Sequence, residues 1–319
     1  MDALSELLRV IRLTGTAFID AELSAPWAVR TPPPSAIAAR LAPGAGRIIP
    51  YHVISEGACH VEVQGLAPLS MKAGEVILFP HGDQHVLMSS PGLSPMQITT
   101  ELVTKLTRRD AIANVRYGGD GARTRLICGF FASDAALSSH LMARFPKVMH
   151  SRLDADSAVA LLPKSVRPSG NGPRPGAGAV LGKLCELLFV DAIRAYLESS
   201  PDLEGWLAGL KDRYVGEALA LIYGRPERSW TLESLAKAVG VSRTALADHF
   251  VRCTGLAPMQ YLSQWRLQLA ADALAQSDEA PKTIAGKAGF ASTSAFNRAF
   301  KREFGVPPVE WRRKRRPKR

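Results

Sequence analysis

A repeat in the C-terminal third constrains this chain more than any other feature. The stretches LAKAVGVSRTALADHFVRCTGLAPMQY (residues 235–261) and IAGKAGFASTSAFNRAFKREFGVPPVEW (residues 284–311) align at an offset of 50. Leu246 then matches Phe296, Phe250 matches Phe300, Gly255 matches Gly305, Pro258 matches Pro308 and Tyr261 matches Trp311. Gly240 and Gly289 match at 49, so the second turn carries one extra residue. Each copy reads as a short helix with a small residue (Ala236, Ala285), a glycine four positions later, and a serine N-cap candidate (Ser242, Ser292) opening a second helix. A small residue lets two helices cross closely, glycine accepts the positive φ of a tight reversal, and the inward Leu246 or Phe296 fixes the crossing angle. The pattern predicts two helix-turn-helix units joined by one long helix over APMQYLSQWRLQLAADALAQS.

The charge sits on the same segment. Residues 228–319 hold 17 Lys and Arg against 7 Asp and Glu, a net of +10 out of the +11 carried by all 319 residues. Of the eight residues after Trp311, seven are basic. Such a balance suits a polyanion, either nucleic acid or an acidic membrane face, and charge alone does not choose between them.

A family resemblance does choose. From Trp230 to Arg312, with its Trp-Thr-Leu entry and Gly-x-Pro-Pro exit, the sequence resembles the DNA-binding domain of the AraC/XylS family of bacterial transcription regulators. The resemblance implies a seven-helix domain whose two recognition helices enter successive major grooves of double-stranded promoter DNA, with RNA polymerase as a further partner. Carried onto this chain, the first reading helix spans Arg243 to about Arg252 and faces bases with Thr244, Ala247 and Asp248. The second spans Thr293 to about Arg302 and presents Thr293, Ser294, Asn297 and Arg298, with Lys301 beside them. Arginine can fork onto guanine O6 and N7, and asparagine can pair with adenine, so the second set is the better equipped. In the first set Ala247 has no hydrogen-bonding group and Asp248 is suited only to cytosine N4; Arg243, His249 and Arg252 are placed to hold the phosphate backbone.

The remainder of the chain has a different grammar. Leu4, Leu7, Leu8 and Ile11 fall at helical spacing behind Asp2, an N-cap candidate, and predict a short helix packed on the element next to it in the chain. From about Ala36 to Phe131 the chain breaks into short Val- and Ile-rich runs punctuated by Gly and Pro: RIIPYHVIS, EGACHVEVQG, GEVILFPHGDQHVLM and RTRLICGFF. This is β-barrel or sandwich material. Residues 163–178 contain four Pro and four Gly and read as a loop. Beyond them VLGKLCELLFVDAIRAYL is a helix apolar nearly all round, which predicts burial against a twin helix of a second subunit.

Gly74, Pro80, Gly82 and His85 fit the second half-motif of the cupin barrels, whereas no His-x-His stands where the first half-motif belongs. His52 and His60 instead flank Ser55-Glu56-Gly57. A hairpin centred on Glu56 would set them face to face, with Glu62 on the same side. If His81 and His85 join them from the Pro-His-Gly-Asp loop, four imidazoles could take zinc or another divalent transition ion; otherwise they are packing and polar lining. Cys128 leaves a similar choice between an oxidant sensor and a buried structural thiol. The four scattered cysteines (59, 128, 185, 253) form no CxxC pair, and the acidic N-terminal stretch has no apolar leader core, so a reduced cytoplasmic protein without a membrane span is expected.

Together these features predict an α+β, multidomain protein. A cupin-like sensor barrel occupies 1–150, a linker and helical dimerisation region 151–225, and an all-α double helix-turn-helix domain with a basic tail 226–319. The expected function is a homodimeric, non-enzymatic transcription regulator whose small effector, metal or oxidant shifts the population of its DNA-binding arrangement. A metal-dependent cupin enzyme fused to a DNA-binding domain is the alternative.

Overall fold

RIIPYHVISE folds as a strand, β3 (Arg47–Glu56), in which residues 48–54 are all buried. A strand without a polar face needs cover on both sides, and it lies inside a sheet. The computed structural model describes residues 2–10, 13–42, 45, 47–107, 113–133, 141–154, 157, 176–201 and 203–315. They form two compact units. One joins Leu13–Asp134 to Phe145–Pro201, and the other gathers Met1–Arg12, Ala135–Arg144 and Asp202–Arg319.

The first unit is a two-sheet β-sandwich. β3 pairs with β6 (Glu75–Leu78) and β10 (Arg123–Ser133) in a six-stranded sheet that continues to β11 (Met149–Arg152) on one side. On the other side it reaches β1 (Leu13–Ser24) and β9 (Ala113–Gly118). The second sheet runs β5 (Leu69–Lys72), β4 (Ala58–Val63), β7 (His85–Met88), β2 (Ala28–Arg30) and β8 (Met96–Gln97). Their inner faces share a core that includes Ala21, Leu23, Ile54, Val61, Met71, Phe79, Leu87 and Leu126.

The hairpin expected at Glu56 does not form. β3 and β4 belong to different sheets, so His52 stands beside Ile77 and Cys128 while His60 stands beside Ser70 and Met88. The cause lies at Gly57, whose φ of 74° admits only glycine without strain, and where a Cβ would come within 2.2 Å of the Arg123 carbonyl oxygen. The chain is pressed onto β10 there and changes sheet.

The expected dimer helix is α4 (Ala177–Ser199), α2 (Pro34–Leu41) and α3 (Thr100–Thr107) being short helices with no clear signal in the sequence. Its apolar residues Leu181, Leu184, Cys185, Leu188, Phe189, Ala192 and Ile193 are buried. It packs on β11, β6 and β1 of the same chain. Phe189 meets the Phe131 ring edge-on at 5.4 Å, and Tyr51 Oη lies 3.1 Å from Cys185 Sγ. Val180 and Leu187 stay exposed beside an ion pair of Lys183 and Glu186, so the helix is two-faced rather than apolar all round. The loop expected over 163–178 lies outside the described residues up to 175.

The second unit is helical. α1 (Ala3–Val10) is capped as expected, Ser5 N donating to Asp2 Oδ1 at 2.9 Å. It packs on α6 (Arg213–Gly224), far along the chain, rather than on the strand next to it in sequence. α5 (Gly205–Lys211) and α6 precede the repeat, so the expected 151–225 segment is shared out, α4 going to the sandwich and α5 and α6 to the helical unit. The repeat supplies α7 (Leu232–Ala238) and α8 (Arg243–Thr254), the long α9 (Pro258–Gln276), then α10 (Pro281–Lys287), α11 (Thr293–Phe304) and α12 (Pro308–Arg315). Counted from α6, that makes the seven helices the resemblance implied.

Candidate DNA-reading face and sensor cavity

The two helix-turn-helix copies are built alike down to single hydrogen bonds. Ser242 Oγ accepts from Ala245 N and Ser292 Oγ from Ala295 N, both at 3.2 Å, which satisfies a free amide at the start of α8 and of α11. Both helices run 12 residues and end at a left-handed glycine, Gly255 or Gly305. Leu246 and Phe250, like Phe296 and Phe300, have no exposed surface. Phe250 meets Tyr261 edge-on at 5.4 Å, and Phe300 meets Trp311 at 5.9 Å in the same manner.

Because those residues point inward, the opposite face of each helix is outward. Arg243, Thr244, Asp248 and Arg252 are exposed on α8; Ser294, Asn297, Arg298 and Lys301 are exposed on α11, with Thr293 half-buried. His249 is only partly exposed, and its Nδ1 lies 3.5 Å from Asp212 Oδ2, the carboxylate whose other oxygen caps α6 through Tyr214 N and Val215 N. The basic run after Trp311 is likewise partly structural. Arg312 donates to the carbonyl of Leu274 in the last turn of α9, where helix carbonyls lack partners, and to that of Glu279 in the segment that follows. Arg315 lies over the Trp311 ring at 4.3 Å.

In the sandwich, alternation along the strands aims one set of side chains inward. Ile19, Ala21 and Leu23 of β1, Pro50 and His52 of β3, and Leu126, Cys128 and Phe130 of β10 line a cavity of about 150 Å³, with Leu87, Met96 and Leu102 among its other walls. A cavity of about 150 Å³ has room for a benzene-sized molecule. Thr31, also on the wall, has its hydroxyl committed: Oγ1 donates to His85 O and accepts from His85 N, both at 3.1 Å.

The four-imidazole convergence is not what the fold builds. His52 and His85 come together, Nε2 to Nε2 at 2.6 Å, whereas two imidazoles on one tetrahedral ion would stand about 3.3 Å apart. His60 and Glu62 alternate with buried Cys59, Val61 and Val63 and so face away from the cavity, His60 Nδ1 lying 3.1 Å from Ser70 Oγ. His81 donates to the Phe145 carbonyl at 2.8 Å. Among the described residues no group of three His, Cys, Asp or Glu is placed to hold a metal ion.

Burial, and then its neighbour His85, push the His52 pKa well below the ordinary imidazole value. Burial likewise lowers that of His85 to about 4, so both rings are neutral at pH 7. Burial raises the Cys128 thiol far above its usual range, which keeps it protonated; the thiolate is the form that oxidants attack.

A helical unit with two matched reading helices, carried on the same chain as a β-sandwich with a small-molecule-sized cavity, defines a DNA-binding transcription regulator. Residues 2–198 match the family described as cupin, and residues 235–314 match the helix-turn-helix domain family. An AraC-like transcription regulator of Streptomyces lividans is 30% identical over 317 residues, spanning 98% of both chains. The HTH-type transcriptional regulator MtrA of Neisseria gonorrhoeae is 27% identical over 316 residues, again 98% of both. Among solved structures, a transcriptional regulator with an AraC-type DNA-binding domain from Chromobacterium violaceum is 30% identical, covering 34% of this chain and 96% of that one, with a TM-score of 0.32. The chain belongs to the AraC family of transcription regulators, with an N-terminal cupin domain. Among the described residues no helix is long and apolar enough to cross a membrane.

Proposed function

We propose that this regulator is controlled by a small apolar molecule held in the sandwich cavity, and that the occupied cavity changes how the helical unit engages promoter DNA. The apolar cavity carries the reading: its walls, partly open to solvent, offer packing contacts that a small apolar ligand would complete. The ligand need only favour one of two arrangements of the protein to shift their populations. On the DNA side, Thr293, Ser294, Asn297 and Arg298 read base edges. Thr244 and Asp248 make the weaker first contact, and Arg243, Arg252 and Lys301 hold phosphates. Homodimerisation and contact with RNA polymerase belong to the same reading and are supported by the family resemblance.

Reporter transcription from a promoter recovered with the protein in chromatin pull-down tests it. Scanned against small apolar compounds, the signal should change with the wild type and stay flat with Ala21→Phe, which fills the cavity and leaves residues 228–315 unaltered. Responses preserved in Ala21→Phe would place the sensing outside this cavity.

A further inference from the structure

The wall of the sandwich cavity changes character along its length. In the first sheet it crosses four neighbouring strands, β3, β10, β1 and β9, a span of three strand spacings or about 14 Å. Along that path exposure climbs from 1% at Leu126 through 7% at Ala21 to 40% at Tyr117. The facing wall repeats the gradient, with 2% at Leu87 of β7, 7% at Val29 of β2 and 40% at Met96 of β8. β8 and β9 are edge strands, one from each sheet, and α3, which lies between them in sequence, adds Leu102, also 40% exposed. The cavity is therefore a slot that starts in the middle of the sandwich and opens between two of its edges. Of the six large apolar side chains exposed on this unit among the described residues, three form that lip. Their hydration costs free energy that a bound molecule recovers only if it reaches them.

We infer that the ligand is a single-chain amphiphile longer than the inner chamber, its unbranched aliphatic tail inserted toward Leu87 and Leu126 and its polar end left in solvent beside Met96, Leu102 and Tyr117. The inference rests on the cavity reading above and adds the length and shape of the ligand to it. The polar groups on the wall support the direction of entry. The Thr31 hydroxyl is spent on both backbone groups of His85, and His52 Nε2 on His85 Nε2. A hydroxyl or carbonyl carried into the slot would lose water and find no partner in return. A compact ring would fill the inner part and leave the lip wet.

The discriminating set is the primary n-alkanols from butanol to octanol, kept below their solubility limits, with toluene as the compact comparison. In titration calorimetry and thermal melting of the full-length protein, affinity should rise about fourfold with each added CH₂, the value of one buried methylene, so that octanol binds more tightly than toluene. Leu102→Ser and Tyr117→Ser, both at exposed positions of the lip, should each weaken octanol more than butanol and so flatten that slope. A peak at butanol or hexanol followed by loss at octanol, with toluene still bound, would overturn the chain inference while leaving the cavity reading intact. Equal weakening of butanol and octanol by both lip substitutions would do the same. Failure of every probe to bind, or binding that survives Ala21→Phe, would remove the cavity reading and this inference with it. Should a lip variant fail to fold, the wild-type series decides the matter alone.

Discussion

The two helix-turn-helix copies share one plan and sit in different company. α8 of the first copy is packed by α5, α6, α7 and α9, and α6 is covered in turn by α1. α11 of the second copy touches only α9, α10 and α12 among its main neighbours, around a cluster of Phe296, Phe300, Phe304 and Trp311. The outward chemistry shows the same division. The crowded first helix carries Ala247 and Asp248 at the repeat positions of Asn297 and Arg298, and its His249 stands 3.5 Å from Asp212. The freer second helix carries Asn297 and Arg298, both exposed. A duplicated motif can thus keep one plan while its copies differ in how firmly they are packed and in what they present outward.

The largest test of this division is a matched pair of core truncations. Phe250→Ala and Phe300→Ala each delete a fully buried ring and should cost about 3–5 kcal/mol. In hydrogen-exchange mass spectrometry the first should loosen 205–261 as one block, whereas the second should loosen 281–315 and spare α8. Equal spread of both effects would mean the copies are anchored alike. Removing residues 1–10 should come next, because Leu7 and Ala3 are buried and the face of α6 beneath them would be uncovered. About 2–3 kcal/mol of stability should disappear, felt in α6 and α8 before α11. A fragment starting at 228 therefore needs checking for fold before its DNA binding is interpreted.

The third comparison concerns reading itself. Arg298→Ala should lower discrimination between a bound promoter site and scrambled DNA by ~1–3 kcal/mol, measured by fluorescence anisotropy at fixed salt, and Asp248→Ala should change it less. The opposite ranking would assign specificity to the first copy. The smallest effect is the most symmetrical. Ser242→Ala and Ser292→Ala each remove a cap of the same 3.2 Å length and should each cost about 1 kcal/mol in urea unfolding; clearly unequal losses would show that local equivalence does not survive the different surroundings.

The sandwich was less legible than the helices. β3, β4, β6, β7 and β10 coincide with the Val- and Ile-rich runs, but β1, the 12-residue LTGTAFIDAELS, lies before the stretch that reads as β. Its Thr, Gly, Asp and Glu dilute the apolar signal. The alternation of Ile19, Ala21 and Leu23 with Asp20 and Glu22 was the available cue, and those three apolar residues are cavity wall. The histidines show the opposite failure. Their residue type suggested convergence, yet whether His52 meets His60 or His85 depends on which sheet the chain joins after Gly57, a choice made by β10, a strand remote from it in sequence.

What the sequence determined by itself is what local physics can encode: the offset-50 repeat, its serine caps and terminal glycines, the inward aromatic positions, the concentration of positive charge and, from these, a DNA-binding regulator. The caps, terminal glycines and inward positions each act within one or two helical turns, and the repeat and the charge are properties of the sequence itself, so no tertiary contact is needed to display them. Tertiary structure decided the pairing of His52 with His85, the cavity beside it, the burial of α4 within its own chain and the docking of α1 on α6. Those depend on strand order and on contacts between segments far apart along the chain, and a sheet assembled from such distant pieces leaves no periodic trace of its partners in any one of them.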